Sequence, residues 1–161
     1  MYLILVRHAK AEITPPWIKD EERKLTPKGI KKAQAMARGV AKLLPIDVGL
    51  EIWSSHARRA KETAEIIGEV LGLEGVNEIP AIYTGRLEEI MEKFRQTSEN
   101  TVVIAVGHQP HLGVWVRQLA GVTLPFKKCA AAGFKLSFTE EEVSAKLEWF
   151  AGPKVLWKLG E

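Results

Sequence analysis

The sequence predicts an α/β fold, a layered domain with helices packed on a mostly parallel sheet. Three observations predict it. Strand-like and helix-like segments alternate along most of the chain, the pattern of stacked α/β units. Tyr2–Val6 is a short, continuous apolar run, as strands buried on both faces are, and Thr101–Val106 is the clearest strand in the sequence. The tail departs from the alternation with two strand-like stretches flanking an acidic turn, the pattern of a hairpin. A length of 161 residues suits one domain with a substantial core, so residues 1–161 are read as a single unit.

The elements follow in order. Tyr2–Val6 is the first strand and runs into Arg7-His8. Residues 9–23 hold Pro15-Pro16 and many charges, so they are expected to form a surface loop. Thr26-Pro27 opens a helix, with Thr26 as N-cap and proline at the first helical position. Ile30, Ala33, Ala37, Val40, Ala41 and Leu44 recur at spacings of three and four and define its buried face; Pro45 ends it. Val48–Trp53 is the second strand. Ser54-Ser55 breaks it and caps a helix from about Ala57 to Leu71, stopped by Gly72. Glu78–Tyr83 reads as a short strand or turn carrying Pro80, and Leu87–Gln96 as a helix. After the strand at Thr101–Val106, Gly107-His108 follows and Pro110 opens a helix to about Leu119. Gly133–Phe138 and Ala145–Phe150 form the hairpin.

Composition excludes several function classes. The apolar runs are too short to span a bilayer, and the first residues do not resemble a signal peptide, so a cytoplasmic protein is expected, with no membrane partner. Basic and acidic residues are interspersed and the formal charge is only +3, which argues against a nucleic-acid partner. The lone Cys129 cannot form an internal disulfide and reads as a buried small hydrophobe. There is no GxxxxGK[ST] phosphate loop and no G-x-S-x-G elbow. No metal site is expected where arginines rather than carboxylates or thiolates accompany the histidines.

Ligands of open α/β sheets bind beyond the carboxyl ends of the strands. Three such ends carry Arg7-His8, the run Ser54-Ser55-His56-Ala57-Arg58-Arg59, and Gly107-His108. Arginine offers a permanently charged, planar fork of donors that matches phosphate oxygens, and helix N-termini add backbone donors. Histidine is the natural nucleophile in such a set, provided one ring nitrogen stays deprotonated.

These residues resemble a known family. Leu5-Val6-Arg7-His8-Ala9 is similar to the RHG signature of the histidine phosphatase superfamily, the phosphoglycerate mutase-like proteins. Leu25-Thr26-Pro27-Lys28-Gly29 resembles its L-T-x-x-G helix start. The block from Ser54 to Ala64 resembles S-S-P-x-x-R-A-x-Q-T-A, and Val106-Gly107-His108 its second-histidine motif. The blocks occur in family order up to about Gly113. Within the superfamily the chain most resembles the SixA phosphohistidine phosphatases, which are short, often read RHA, and share the R-x-L-T block of Arg23–Thr26.

The resemblance implies a three-layer α/β/α sandwich of phosphoglycerate mutase-like fold. It implies a hydrolase that needs no cofactor, with His8 as phosphoryl acceptor. Arg7, Arg59 and His108 would bind the phosphoryl group and stabilise its charge, and Arg23 would assist from its loop. The substrate would be phosphohistidine, on a phosphorylated protein such as a phosphotransfer domain in signal transduction. The alternatives are a small phosphorylated molecule, hydrolysed or handled as in a mutase, and an inactive phospho-binding module. Two positions depart from the family pattern. His56 replaces the motif proline, and no L-x-E general acid is visible. Glu88 and Glu89 read as a solvated helix face, His56 and His111 as bystanders at the rim, and Lys127-Lys128 as a solvated pair.

Overall fold

The computed structural model describes residues 1–161. Its elements are β1 (Tyr2–Arg7), α1 (Pro27–Ala41), β2 (Gly49–Ser54), α2 (Arg58–Leu71), β3 (Asn77–Glu78), α3 (Pro80–Thr84), α4 (Leu87–Arg95), β4 (Thr101–Gly107), α5 (His111–Ala120), β5 (Ala131–Phe138), β6 (Val143–Ala151) and α6 (Pro153–Leu159). The strands form one six-stranded sheet in the order β3-β2-β4-β1-β5-β6. The first four strands run parallel, β5 is antiparallel to its neighbour β1, and β6 is antiparallel to β5. This is the expected mixed α/β architecture, with helices on both sides of a mostly parallel sheet.

Side chains of a strand alternate between faces, so each apolar strand serves two cores. Ile4, Val6, Ile52, Ile104 and Val106 pack with the buried face of α1 and α2 on one side. Leu3, Leu5, Trp53, Val103 and Ala105 pack with Ile82, Phe94, Leu112 and Trp115 from α3, α4 and α5 on the other. No helix is long and apolar enough to cross a membrane.

The ends of the helices follow from local chemistry. The Thr26 side chain accepts from the Gly29 N–H at 2.9 Å and Pro27 holds the first helical position. Gly72 closes α2 in the left-handed conformation, φ +68°, which glycine adopts without a Cβ penalty.

Four expectations are corrected. Ile30 is exposed (38%), because α1 turns a stripe of small residues inward: Gly29, Ala33, Ala37, Gly39 and Val40, together with Met36. Its neighbours come close enough that only small side chains fit. Pro80 does not sit in a strand or turn but at the first position of α3, where its missing N–H has no helical partner to lose. The loop at residues 9–23 is not all surface. Ala9 and Ala11 are buried, Ala11 bridges to Leu25, and Asp20–Glu22 forms a 3-10 turn. Helix α6 was not anticipated; it packs along α1 and buries Leu156.

The α1–α6 contact is tight enough to test. A Cβ on Gly39 would run into the backbone carbonyl of Leu156, and backbone cannot swing aside as a side-chain tip can. Gly39→Ala should therefore lower stability by about 1–3 kcal/mol, the usual range for overpacking, despite alanine's better helix propensity. A denaturation midpoint at or above that of the unaltered chain would show that α6 yields.

Candidate active site

The parallel register brings the site residues together. Arg7 pairs with Gly107 across β1 and β4, so His8 and His108 are neighbouring first residues beyond adjacent strands. The His8 N–H donates to the Gly107 carbonyl at 3.2 Å, and the two imidazole centroids lie 5.1 Å apart. Strand β2 ends beside β4, which delivers Ser55 and the start of α2 with Arg59. Arg7, His8, Arg59 and His108 thus gather at one end of the sheet, as the sequence suggested. His8, Arg59 and His108 are each only 6% exposed.

Each of these side chains is held from behind. His8 Nδ1 lies 2.7 Å from the Ala9 carbonyl oxygen. A carbonyl can only accept, so the proton is on Nδ1 and Nε2 carries the free lone pair. The Ala9 N–H donates to Thr63 Oγ1, which donates in turn to the Arg59 carbonyl, tying the His8 loop to the first turn of α2. His108 Nε2 is 2.7 Å from Ser55 Oγ, and Ser55 Oγ already accepts from the Ala57 N–H. Donation by the Ser55 hydroxyl to Nε2 leaves the His108 proton on Nδ1. One terminal nitrogen of Arg7 donates to the Phe126 carbonyl at 2.9 Å.

Arg59 spends both terminal nitrogens on Asp20, one on its carbonyl and one on its carboxylate, each at 2.9 Å. Asp20 was not singled out in the sequence. The 3-10 turn carries it to Arg59 across 39 positions, and no local pattern announces such a contact. Arg23 Nε also donates to the Asp20 carboxylate, at 3.0 Å, and its Nη1 to the Glu12 carbonyl, so its contact with the site runs through Asp20. Tyr83 was missed as well. Its ring meets His108 edge-on at 5.6 Å and lies tilted against His56 at 4.6 Å. His56 in turn pairs with Glu21 at 3.4 Å, so it forms part of the mouth. Glu88 and Glu89 are exposed on α4, with Glu89 paired to Arg86. His111 stacks on Trp115.

Four buried side-chain nitrogens have no partner in the chain: Arg7 Nε, Arg59 Nε, His108 Nδ1 and Trp157 Nε1. Three of them belong to the residues around His8. A buried, unsatisfied donor costs about 1–3 kcal/mol. Such a cluster beside a free imidazole lone pair is a site built to be completed by an anionic group.

The electrostatics agree. Burial lowers the pKa of His8 to about 4, opposed by the Ala9 carbonyl and reinforced by Arg59, Arg7 and Lys128. Burial likewise lowers His108 to about 3, helped by His8 and Arg59 and opposed by Asp20. Both rings are therefore neutral at physiological pH, the state in which an imidazole nitrogen can attack or an N–H can donate. Burial alone would raise the Asp20 carboxyl, but Arg59 and Arg23 together pull it below its usual value.

The histidines make stability depend on pH with a defined sign. Both folded pKa values lie below 6.5, the unperturbed value, so the unfolded chain binds more protons as pH falls through that range. Stability should be intact above 6.5 and be lost on descending towards 4. The loss should be on the order of several kcal/mol for the pair. Melting curves across this range in phosphate-free buffer would show it, and His108→Gln should flatten the slope. A pH-independent melting temperature would mean that neither ring is held neutral by the fold.

Asp20 offers a second test. Its carboxylate opposes any second anion placed on Arg59. Asp20→Asn removes the charge but keeps an oxygen to accept from the guanidinium. Inorganic phosphate should inhibit Asp20→Asn at about three- to tenfold lower concentration, as expected for like charges several ångströms apart. Weaker inhibition would mean that the charge is needed to position Arg59.

Comparison with known proteins adds the context. A family model described as the histidine phosphatase superfamily (branch 1) matches residues 3–90. No curated protein sequence matches significantly. Among solved structures, the chain is similar to the protein histidine phosphatase SixA complexed with tungstate (TM-score 0.79, 23% identity, covering 97% of this chain and 99% of that one). It is similar also to a mycobacterial glucosyl-3-phosphoglycerate phosphatase (TM-score 0.74, 16% identity, 94% and 99% covered). A third is a phosphoserine phosphatase from Entamoeba histolytica in complex with phosphoserine (TM-score 0.69, 16% identity, 96% and 98% covered). At these identities the likeness establishes the fold.

Proposed function

The chain belongs to the histidine phosphatase superfamily, branch 1, and as a phosphatase of that superfamily it acts, we propose, on phosphohistidine, with His8 as the covalent phosphoryl acceptor. The observation that carries the role of His8 is the cluster of unpartnered Arg7 Nε, Arg59 Nε and His108 Nδ1 around a ring whose Nε2 lone pair is free.

The reaction has two displacements. His8 Nε2 attacks phosphorus, the bond from phosphorus to the substrate's imidazole nitrogen breaks, and its electron pair leaves with that imidazole, which takes a proton from solvent. Water then attacks the phosphoryl group on His8. The phosphorus–Nε2 bond breaks, its pair returns to Nε2, the water's proton passes to solvent, and inorganic phosphate departs. Arg7, Arg59 and His108 donate to the equatorial oxygens through both steps, where charge spreads over them.

The substrate assignment is supported by the acid that is lacking. An alkoxide leaving group needs a proton donor, whereas an imidazole leaves readily. The carboxylate on Arg59 belongs to Asp20, and its two arginine partners hold it ionised, which makes it a poor acid. The likeness to the SixA structure points the same way.

The test compares free phosphohistidine with an alkyl phosphate such as glycerol phosphate. Phosphohistidine should be preferred by about a hundredfold or more in kcat/KM, the usual contribution of a general acid that the ester would need. Comparable turnover of the alkyl ester would replace this reading with a small-molecule phosphomonoesterase, the activity named for two of the similar structures.

A further inference from the structure

A second concavity lies on the same rim of the sheet. Strand β5 starts at Ala131, beside Val6 at the end of β1, and β6 ends at Ala151, beside Ala131. The turn from β6 into α6 and the loop before β5 therefore open towards the same side as His8. Between them and α1 is a cleft of about 360 Å³. Its apolar surface comes from Phe150, Trp157 and two prolines, and its charge from Lys32, Lys127 and Lys154, with no carboxylate among the lining residues. Lys32 Nζ sits 4.6 Å from the Trp157 ring centre. None of the three lysines forms an ion pair, so their combined charge is not neutralised within the cleft.

The cleft is continuous with the active site through one short segment. Phe126 presents its carbonyl to Arg7 while its ring packs edge-on against Phe150 at 5.7 Å. Lys127, the next residue in the chain, lines the cleft. From β1 to β6 is two strand spacings, about 10 Å, which an extended peptide covers in about three residues.

We propose that this cleft docks an acidic segment of a phosphorylated protein substrate, a few residues from the phosphohistidine, with an aliphatic or aromatic side chain laid on Trp157 and Phe150. Charge complementarity selects the occupant. Three unpaired lysines call for carboxylates, and an apolar floor rewards a side chain that a bare phosphate or nucleotide backbone lacks. The inference rests on the phosphohistidine reading and adds to it the means by which a protein substrate is held beside His8.

The test uses synthetic phosphohistidine peptides bearing glutamates and a leucine three to five positions from the phosphorylated residue, matched peptides with glutamine for glutamate, and free phosphohistidine. The unaltered protein should favour the acidic peptide by about tenfold or more in kcat/KM at low salt, with the advantage fading as salt is raised. The triple variant Lys32→Glu, Lys127→Glu, Lys154→Glu should lose or invert the preference, and the corresponding glutamine triple should abolish it. Both should keep their rate on free phosphohistidine. Equal turnover of the two peptides by the unaltered protein would overturn the proposal. So would lysine variants that bind phosphatidylserine vesicles less well yet retain the peptide preference, because the cleft would then serve a membrane. Failure of the unaltered protein on free phosphohistidine and on every phosphohistidine peptide sinks the substrate reading instead. In that case, binding of a labelled, unphosphorylated acidic peptide, weakened by the glutamate triple, still decides whether the cleft docks acidic segments.

Discussion

Replacing His8 by alanine should reduce turnover by about four to six orders of magnitude, the scale on which loss of a covalent nucleophile is felt. Position and protonation together set this expectation. His8 keeps the Nε2 lone pair free for attack, because its Nδ1 proton is committed to the Ala9 carbonyl. It is also neutral, with a pKa near 4. His108 cannot substitute for it, since its Nε2 is engaged by Ser55. Rapid acid-free quenching and mass spectrometry of the unaltered protein should find a phosphoryl adduct on the peptide containing His8, and none in the variant. His8→Asn, closer in volume, should be equally inactive, which separates the chemistry from any packing defect. Substantial residual turnover in either variant would take His8 out of the reaction.

The second large effect is expected at Arg59. Arg59→Ala should lower kcat/KM by about a thousandfold, in the range seen when a preorganised donor to developing charge is removed. Phosphate inhibition should weaken in parallel. Arg59→Lys should not rescue the activity. An ammonium is a point charge without the planar fork, and it cannot hold Asp20 with its terminal donors while offering another inward. The fold should survive, because the Asp20 side chain is 54% exposed and water can solvate it once the partner is gone. A variant with normal kcat and only a modestly raised KM would restrict Arg59 to ground-state binding.

How much of this was legible depended on the range of the cause. Strands β1 and β4 were plain because each holds an unbroken apolar run, Leu3–Val6 and Val102–Val106, a property each residue carries by itself. The N-cap at Thr26 and the stop at Gly72 were plain because capping is decided within a turn. Helix α6 was missed because a seven-residue segment entering directly from a strand shows too little periodicity. The buried face of α1 was drawn through Ile30 on hydrophobicity, whereas the fold chose the small residues that let α2 and α6 approach. Residues Arg7, His8, Arg59 and His108 were found because each sits in a motif at a strand end or in the first turn of a helix. Asp20, Tyr83 and the partner role of Ser55 were not. Each acquires its part only when the chain closes on itself, and only a three-dimensional arrangement contains that information.

The pairing of Arg7 with Gly107 has a consequence for how such a protein can diverge. The interval between the two histidine rings is fixed by a hydrogen-bonded ladder, and its length is the spacing common to all β-sheets. Substitution elsewhere in the chain can scarcely stretch it. The reacting centre is therefore inherited as a dimension of the backbone, while the loop bearing Asp20 and the turn into α6 are free to drift. New specificities on this frame should arise by redrawing the margin around a gauge that stays constant.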